Sequence, residues 1–230
     1  MIDQLIIGDR ASFDDFYASI AKRKIGEAKK KSIKETVPYS NVTYDFSKIN
    51  GELYWEEREL EYIFEIIAPT PEKLEELKSK FAGWVKNVFQ EELHDPFIPE
   101  HHFLATYDDM DFEDEEGLDK TTVTVKFTAY PYKISNQPVV FESSALTGNH
   151  TATFIVNNES AHPVPPTVLV EASTQMTAYT TIDGTSCSFQ SGTAVQLPAR
   201  LPVGVSTINV VIPMYYEGFT VKVSFHEEVF

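Results

Sequence analysis

The segment 37–67 constrains the fold most, because it combines the alternation of extended strands with turn chemistry and leads into the best helix of the chain. Val42, Tyr44 and Phe46 fall on one side of a strand, a two-residue period typical of a half-buried sheet. Asn50-Gly51 supplies a turn signal. A second alternation follows it, with an apolar side that consists of Leu60, Tyr62, Phe64 and Ile66. The segment therefore predicts strands with one side against a core.

The second strand is unusually charged for a sheet. Glu56, Glu57, Arg58, Glu59 and Glu61 all fall within six residues. Such charges fit a strand best when it lies at a sheet edge or against another subunit. Arg58 and Glu61 are therefore interpreted as intersubunit contacts rather than as catalytic groups.

The next segment predicts a helix over Pro71–Phe89. Thr70 is a favourable N-cap, and Pro71 suits the first helical position. One broad apolar stripe recurs at three- and four-residue spacing, and we expect it to lie across the preceding strands. It consists of Leu74, Leu77, Phe81, Trp84, Val85 and Val88.

Charge is distributed unevenly along the 230 residues, which carry a net charge of −16. The first 134 residues hold 17 Lys and Arg against 28 Asp and Glu, and the remaining 96 hold 2 against 7. This change predicts two domains, 1–134 and 135–230. The negative charge disfavours nucleic acid and anionic membranes as partners.

Two segments of the first half have opposite charge. Residues 22–34 contain seven Lys and Arg and one Glu, whereas residues 91–119 contain twelve acids and no Lys or Arg. Each is predicted to be a loop, either solvated or in contact with the other segment on a neighbouring subunit. The proposed intersubunit contacts are Lys22, Arg23, Lys24, Lys29, Lys30, Lys31, Arg58, Glu61, Asp109, Asp111 and Glu113.

The acidic segment also contains His94, His101 and His102. Carboxylates and imidazoles are both metal ligands. Their spacing matches no calcium-binding loop and no His-Glu-x-x-His pattern, so no metal site is predicted, although cation binding by this segment stays open.

The second half predicts only strands, because short β-type runs recur among Pro and Gly with no helical period. The seven predicted strands indicate an antiparallel sandwich or jelly roll. They are residues 152–156, 167–172, 176–182, 186–190, 195–197, 206–212 and 219–225.

Catalytic motifs are absent from the sequence, which has no phosphate-binding loop, nucleophile elbow or Ser/His/Asp arrangement. We therefore expect no enzyme activity and no cofactor. The N-terminal segment lacks the pattern of a signal peptide, and no apolar run approaches the about 20 residues that span a bilayer, so we expect synthesis in the cytoplasm without membrane insertion. Tyr215 and Tyr216 are candidates for stacking on a sugar.

The order of these features resembles the distal tail protein family (Dit) of long-tailed bacteriophages and their prophages. The most specific parts are PYSNVTYDFS and the aromatic strand after it, followed by the Pro-started helix, the acidic segment and TVTVKFTAYPY. In the second half, HPVPPTVLVEAS is similar to the family's Pro-rich approach to a C-terminal strand.

The resemblance implies a mainly β fold with one long helix, in which an N-terminal α+β domain forms a hexameric ring and a galectin-like sandwich follows. It implies a virion structural protein at the tail tip of a siphovirus. There it would join the tail tube protein to the baseplate and the tail-associated lysin. The alternative hypothesis is a carbohydrate-binding adhesin that contacts a host cell-surface glycan through the sandwich.

Overall fold

The computed structural model describes residues 3–36, 38–39, 41–48, 53–115, 119–143, 151–172, 175–182, 184–212 and 219–230. The chain divides into two compact units, one of residues 1–133 with Phe230 and one of residues 134–229. The prediction of a mainly β protein with several antiparallel sheets is confirmed. None of the helices in these ranges is long and apolar enough to cross a membrane.

The first unit contains a large antiparallel sheet with the strand order β2-β1-β7-β8-β9-β6-β3 and a separate two-stranded sheet, β4-β5. Its elements are β1 (Ile6–Ile7), β2 (Arg10–Ala11), α1 (Ser12–Phe16), β3 (Ala18–Ile25), β4 (Lys34–Thr36), β5 (Thr43–Asp45), β6 (Arg58–Ile67), α2 (Pro71–Val85), β7 (Glu91–His94), β8 (His101–Asp114) and β9 (Lys120–Ala129).

Strand β6 lies within this sheet, between β3 and β9. The four apolar side chains predicted to share one side of it are completely buried. Helix α2 packs against them, with the rings of Phe64 and Phe81 in an edge-to-face contact at 5.3 Å between centroids. The predicted packing of the helix on this strand is confirmed.

The start of α2 follows the sequence prediction, but its end does not. The Thr70 hydroxyl accepts a hydrogen bond from the Lys73 amide at 3.3 Å, as expected of an N-cap. The helix stops at Val85, four residues before the predicted end at Phe89. Tighter turns follow it, and Gln90 has a φ of 51° just before β7 begins.

The acidic segment 91–119 is not a loop, so this prediction is wrong. Most of it forms the antiparallel strands β7 and β8. In β8, Met110 and Phe112 pack against the core, while Asp109, Asp111 and Glu113 between and beside them are exposed. The segment therefore has the two-residue period of a strand. Its acidic residues made this period difficult to recognise in the sequence, because Asp and Glu are uncommon in strands.

The second unit consists of two four-stranded antiparallel sheets, β11-β18-β13-β16 and β12-β17-β14-β15. The elements of this part are β10 (Lys133–Ser135), β11 (Val139–Ser143), β12 (Thr151–Asn158), β13 (Thr167–Ala172), β14 (Thr177–Ile182), β15 (Thr185–Gln190), β16 (Val195–Gln196), β17 (Gly204–Val211), β18 (Phe219–Phe225) and β19 (Glu228–Val229).

Both sheets contribute to one hydrophobic core. Val170 and Val221 of one sheet belong to the same buried cluster as Phe154 and Ile208 of the other. All seven predicted strands are present, and each of their ends lies within two residues of the predicted end, but β11 was missed. The closer assignment of this unit to a galectin-like fold stays a prediction.

Candidate functional site

Four charged side chains form a row across four neighbouring strands of the first unit. Lys24 of β3 lies opposite Glu61 of β6, Glu61 opposite Lys126 of β9, and Lys126 opposite Asp109 of β8. The sign of the charge alternates along the row. Opposite charges on paired positions stabilise antiparallel strands by roughly 0.2–1 kcal/mol each, so the row favours this register of the four strands.

The row belongs to a larger charged face of the sheet. Lys22 lies opposite Ile63, Asp111 opposite Thr124, and Glu113 opposite Thr122. These positions alternate with the buried residues of β6 and β9, so they project away from the core. Six of the predicted contact residues therefore share what we call the charged face, namely Lys22, Lys24, Glu61, Asp109, Asp111 and Glu113.

Arg23 does not belong to this face, and its interpretation as an intersubunit contact is corrected. Its guanidinium forms ion pairs inside its own unit, at 2.5 Å with Asp3 and at 3.3 Å with Asp95. The Asp95 side chain is fully buried. Because removing one member of a buried ion pair leaves an uncompensated charge, Arg23 stabilises the subunit itself.

Arg58 is also corrected, because it is buried at the start of β6. Its Nε donates to the Pro131 carbonyl at 2.9 Å, and its Nη2 donates to the same oxygen. Its guanidinium also lies over the ring of Phe103. Burial lowers the pKa of Arg58, and the charge of Glu27 opposes this effect. A side chain enclosed in this way cannot reach a neighbouring subunit.

Lys29, Lys30 and Lys31 lie in a long hairpin, which we call the arm and which comprises the described residues of 29–56. Antiparallel contacts hold its two branches together: Glu56 donates its amide to the carbonyl of Lys29, and the Lys31 amide donates to the carbonyl of Tyr54. Strands β4 and β5 continue the pairing towards the tip. The arm is therefore ordered by its own backbone rather than by a core.

Aromatic and aliphatic side chains of the arm are exposed to solvent. Tyr44 and Phe46 stack on each other at 6.3 Å between centroids, and Tyr44 is 51% exposed. The predicted common side of Val42, Tyr44 and Phe46 is thus about half exposed. The other large exposed residues of the arm are Ile33, Tyr39, Val42, Leu53 and Tyr54.

Ser47 shapes the arm where β5 ends. Its hydroxyl accepts a hydrogen bond from the Ile33 amide at 3.0 Å, and its amide donates to the Asp45 carboxylate at 2.9 Å. Hydrogen bonds from the Ser47 side chain and backbone lower the pKa of Asp45. Ser47 is buried in an otherwise exposed segment, so it fixes the local conformation that presents the neighbouring aromatic rings.

Gly26, which the sequence analysis did not single out, lies where the arm leaves the sheet. Its amide donates to the Glu59 carbonyl at 2.8 Å. A Cβ at this position would lie 2.6 Å from the same oxygen. Only glycine allows the two backbones to approach this closely. A Gly between a strand and Lys-rich residues was the sequence signal that could have identified Gly26.

The acids of β8 differ in how they are neutralised. Asp114 accepts hydrogen bonds from the Lys78 ammonium at 2.9 Å, which lower the pKa of Asp114. Within the described part of the chain, Asp109, Asp111 and Glu113 form no ion pair closer than 4 Å. These three carboxylates of β8 are exposed and therefore accessible to basic groups of a partner.

The two tyrosines proposed to stack on sugars, Tyr215 and Tyr216, lie outside the described residues. The adhesin hypothesis consequently stays a prediction.

No protein-family model matches the chain, and no curated protein sequence matches it. Among solved structures, the Dit protein of SPP1, described as a paradigm of the hub adsorption apparatus in Gram-positive infecting phages, has a TM-score of 0.69 at 13% identity. This match covers 98% of the present chain and 99% of the SPP1 chain. The resemblance to the Dit family is therefore confirmed for the fold.

Two structures of the phage p2 baseplate in its activated conformation, with Sr and with Ca, are more distant. Their TM-scores are 0.45 and 0.44, at 8% and 9% identity. The matches cover 96% and 97% of the present chain and 98% of each baseplate chain.

Proposed function

We propose that this chain, which has the fold of the SPP1 Dit protein, is a structural hub protein of a phage tail tip. The observation that carries the proposal is the match of the fold over 98% of this chain and 99% of the other. Both units take part in the match, so the likeness is not confined to one common sheet architecture. In this role the chain acts in the virion as a scaffold rather than as an enzyme.

We propose further that the first unit assembles into a closed ring, six subunits being the number implied by the family resemblance. The arm of one subunit would contact the charged face of the next, a heterologous contact that closes when the rotation between subunits is suitable. Lys29, Lys30 and Lys31 on the arm are opposite in charge to the exposed Asp109, Asp111 and Glu113 of β8. This charge pattern sets the register of the contact more than its strength.

The strength would come from the exposed apolar residues of the arm. An exposed group of aromatic and aliphatic side chains is typical of an interaction site. Tyr44 and Phe46 are 51% and 41% exposed, so burying each against a neighbour would contribute about half of the roughly 1.5–3 kcal/mol of full burial. The ring would then join the tail tube protein to the baseplate proteins and the lysin.

Native mass spectrometry and light scattering on the full chain test the ring. We expect one closed oligomer at low salt, and partial dissociation at high salt because exposed charges are screened. The double variant Tyr44→Ser/Phe46→Ser should be monomeric. Ile155→Ser, which changes a residue of the second unit that is 71% exposed, is the matched control and should assemble normally.

A charge exchange tests the pairing of the arm with the charged face. The triple variant Lys29→Glu/Lys30→Glu/Lys31→Glu should not assemble, and neither should Asp109→Lys/Asp111→Lys/Glu113→Lys. An equimolar mixture of the two variants should recover a pairing of arm and face. A wild-type chain that is monomeric at every concentration would rule out the ring, and assembly of both variants alone would rule out this contact.

A further inference from the structure

The hairpin of β7 and β8 brings together three metal-ligating side chains that the sequence spacing had not connected. One ligand atom from each of Glu92, His94 and His102 lies within 4.8 Å of the other two. The imidazole rings of His94 and His102 have centroids 5.1 Å apart. His94 Nε2 and Glu92 Oε2 are 3.4 Å apart.

The register of the hairpin explains this arrangement. Leu93 pairs with Phe103, and both side chains are buried in the core of the first unit. Glu92 and His94 flank Leu93, and His102 precedes Phe103, so all three project from the opposite side of the hairpin. The continued register places His94 directly across from His102, where paired Cβ atoms are about 4.5–5.5 Å apart.

We propose that Glu92, His94 and His102 form a binding site for a divalent transition metal ion of the Zn²⁺ class. Two imidazole nitrogens and one carboxylate oxygen are a ligand set that Zn²⁺ accepts, and one position then stays open for water. This set favours Zn²⁺ over Ca²⁺ and Mg²⁺, which take oxygen ligands almost exclusively.

The distances between the three ligand atoms fit a site whose side chains move closer together when the ion binds. Tetrahedral Zn²⁺ with bonds of about 2.0–2.2 Å holds its ligand atoms roughly 3.4 Å apart. The three atoms need to approach by no more than about 1.4 Å, which rotations about terminal side-chain torsions can supply. The backbone, fixed by the pairing of β1, β7 and β8, does not have to move.

Burial increases across the site from one side to the other. Glu92 is exposed, His94 is half-buried, and His102 is buried. An ion can therefore enter from the Glu92 side, while His102 supplies a ligand whose orientation is restricted by packing. The bound ion would connect the two strands of the hairpin, and the proposal does not depend on the hub function or on assembly.

Calorimetric titration of the metal-free full chain with ZnCl₂ tests the site, and the Tyr44→Ser/Phe46→Ser variant repeats it without assembly. We expect one ion per chain and no binding of Mg²⁺ or Ca²⁺. Glu92→Gln and His94→Ala change accessible residues and should fold. Each should weaken Zn²⁺ binding by more than the about 10–100-fold that loss of an outer-shell partner causes.

His101→Ala is the matched control, because His101 neighbours His102 but projects from the other side of β8. It should bind Zn²⁺ like the wild type, and so should His162→Ala in the second unit. Zn²⁺ should also raise the unfolding temperature of the wild type but not that of His94→Ala. Absence of Zn²⁺ binding, or binding that survives both Glu92→Gln and His94→Ala, would overturn the proposal.

Discussion

The arm and strand β6 are adjacent in the sequence and share the same alternation of aromatic and polar residues, yet they have opposite surroundings. Leu60, Tyr62 and Phe64 of β6 are completely buried. Tyr44 and Phe46 of the arm are 51% and 41% exposed. A two-residue period therefore predicts a strand but not what covers its apolar side.

The elements that lie beside β6 and beside the arm explain this difference in burial. Strand β6 pairs with β9 along its whole length and with β3 over residues 60–66, and α2 covers its apolar side. In the part of the arm that the structure describes, β4 and β5 pair only with each other. A lone two-stranded hairpin is marginally stable in water, so a second surface over the aromatic side of the arm would stabilise it. That requirement agrees with the proposed contact between subunits.

The largest effect should come from Phe64→Ala, which removes a ring from the side of β6 that packs on α2. We expect the free energy of unfolding of the first unit to fall by about 3–5 kcal/mol, since the change leaves a cavity among rigid neighbours. Urea denaturation followed by tryptophan fluorescence measures it, because Trp84 packs on Phe81 in the same core. A loss below about 1 kcal/mol would mean that α2 does not cover this strand.

Gly26→Ala should have the next largest effect, at the junction between the sheet and the arm. The added Cβ would meet the Glu59 carbonyl at 2.6 Å, and a backbone oxygen cannot rotate away as a side chain can. We expect a loss of about 1–3 kcal/mol, the usual cost of overpacking, with the same urea measurement. Gly83→Ala is the control, because a Cβ there meets nothing within 4 Å. Equal stability of the two variants would contradict the close approach.

Tyr62→Phe tests a polar contact beneath β6. The Tyr62 hydroxyl donates to the buried Asp95 carboxylate at 3.1 Å, and its removal should cost about 1–2 kcal/mol near neutral pH. Burial, followed by the charge of Asp95, raises the pKa of Tyr62 well above its ordinary value. The folded state therefore holds this proton more tightly than the unfolded state.

A pH series separates this contribution from simple packing. Because the folded-state pKa is raised, the stability from Tyr62 is fully present below the ordinary tyrosine pKa of about 10 and is lost as pH rises above it. The wild type should therefore lose stability with pH in this range more steeply than Tyr62→Phe. Parallel curves for the two proteins would contradict the raised pKa.

The smallest effect on a single subunit should come from Tyr44→Ala in the arm. Its ring is half exposed and contacts mainly Phe46, so we expect a change within about 0.5 kcal/mol. The measurement is urea denaturation at a concentration where light scattering finds monomer. A loss as large as that of Phe64→Ala would show that the arm is covered by its own subunit and would remove the basis for the proposed contact.

Much of the fold followed from local patterns. The alternation of β6 and β9, the Thr70 and Pro71 helix start, and the short strands of the second half are all signals that neighbouring residues carry. Strand β8 was not predicted from the sequence, because its many acidic residues obscured the alternation of its apolar positions. The six residues of the charged face were identified as contacts, but five of them were assigned to two loops and Glu61 to a strand. Only strand register places β3 beside β6 and β8 beside β9.

The sequence by itself determined which segments alternate, where α2 begins and where the charge changes, because these depend on contacts between residues a few positions apart. Tertiary structure alone decided that Arg23 and Arg58 point inward, that the arm is left uncovered, and that His94 meets His102. These outcomes depend on which distant strands pair and in which register. The two parts of the segment 37–67 therefore share one alternating pattern but differ in burial, because different elements pack against them.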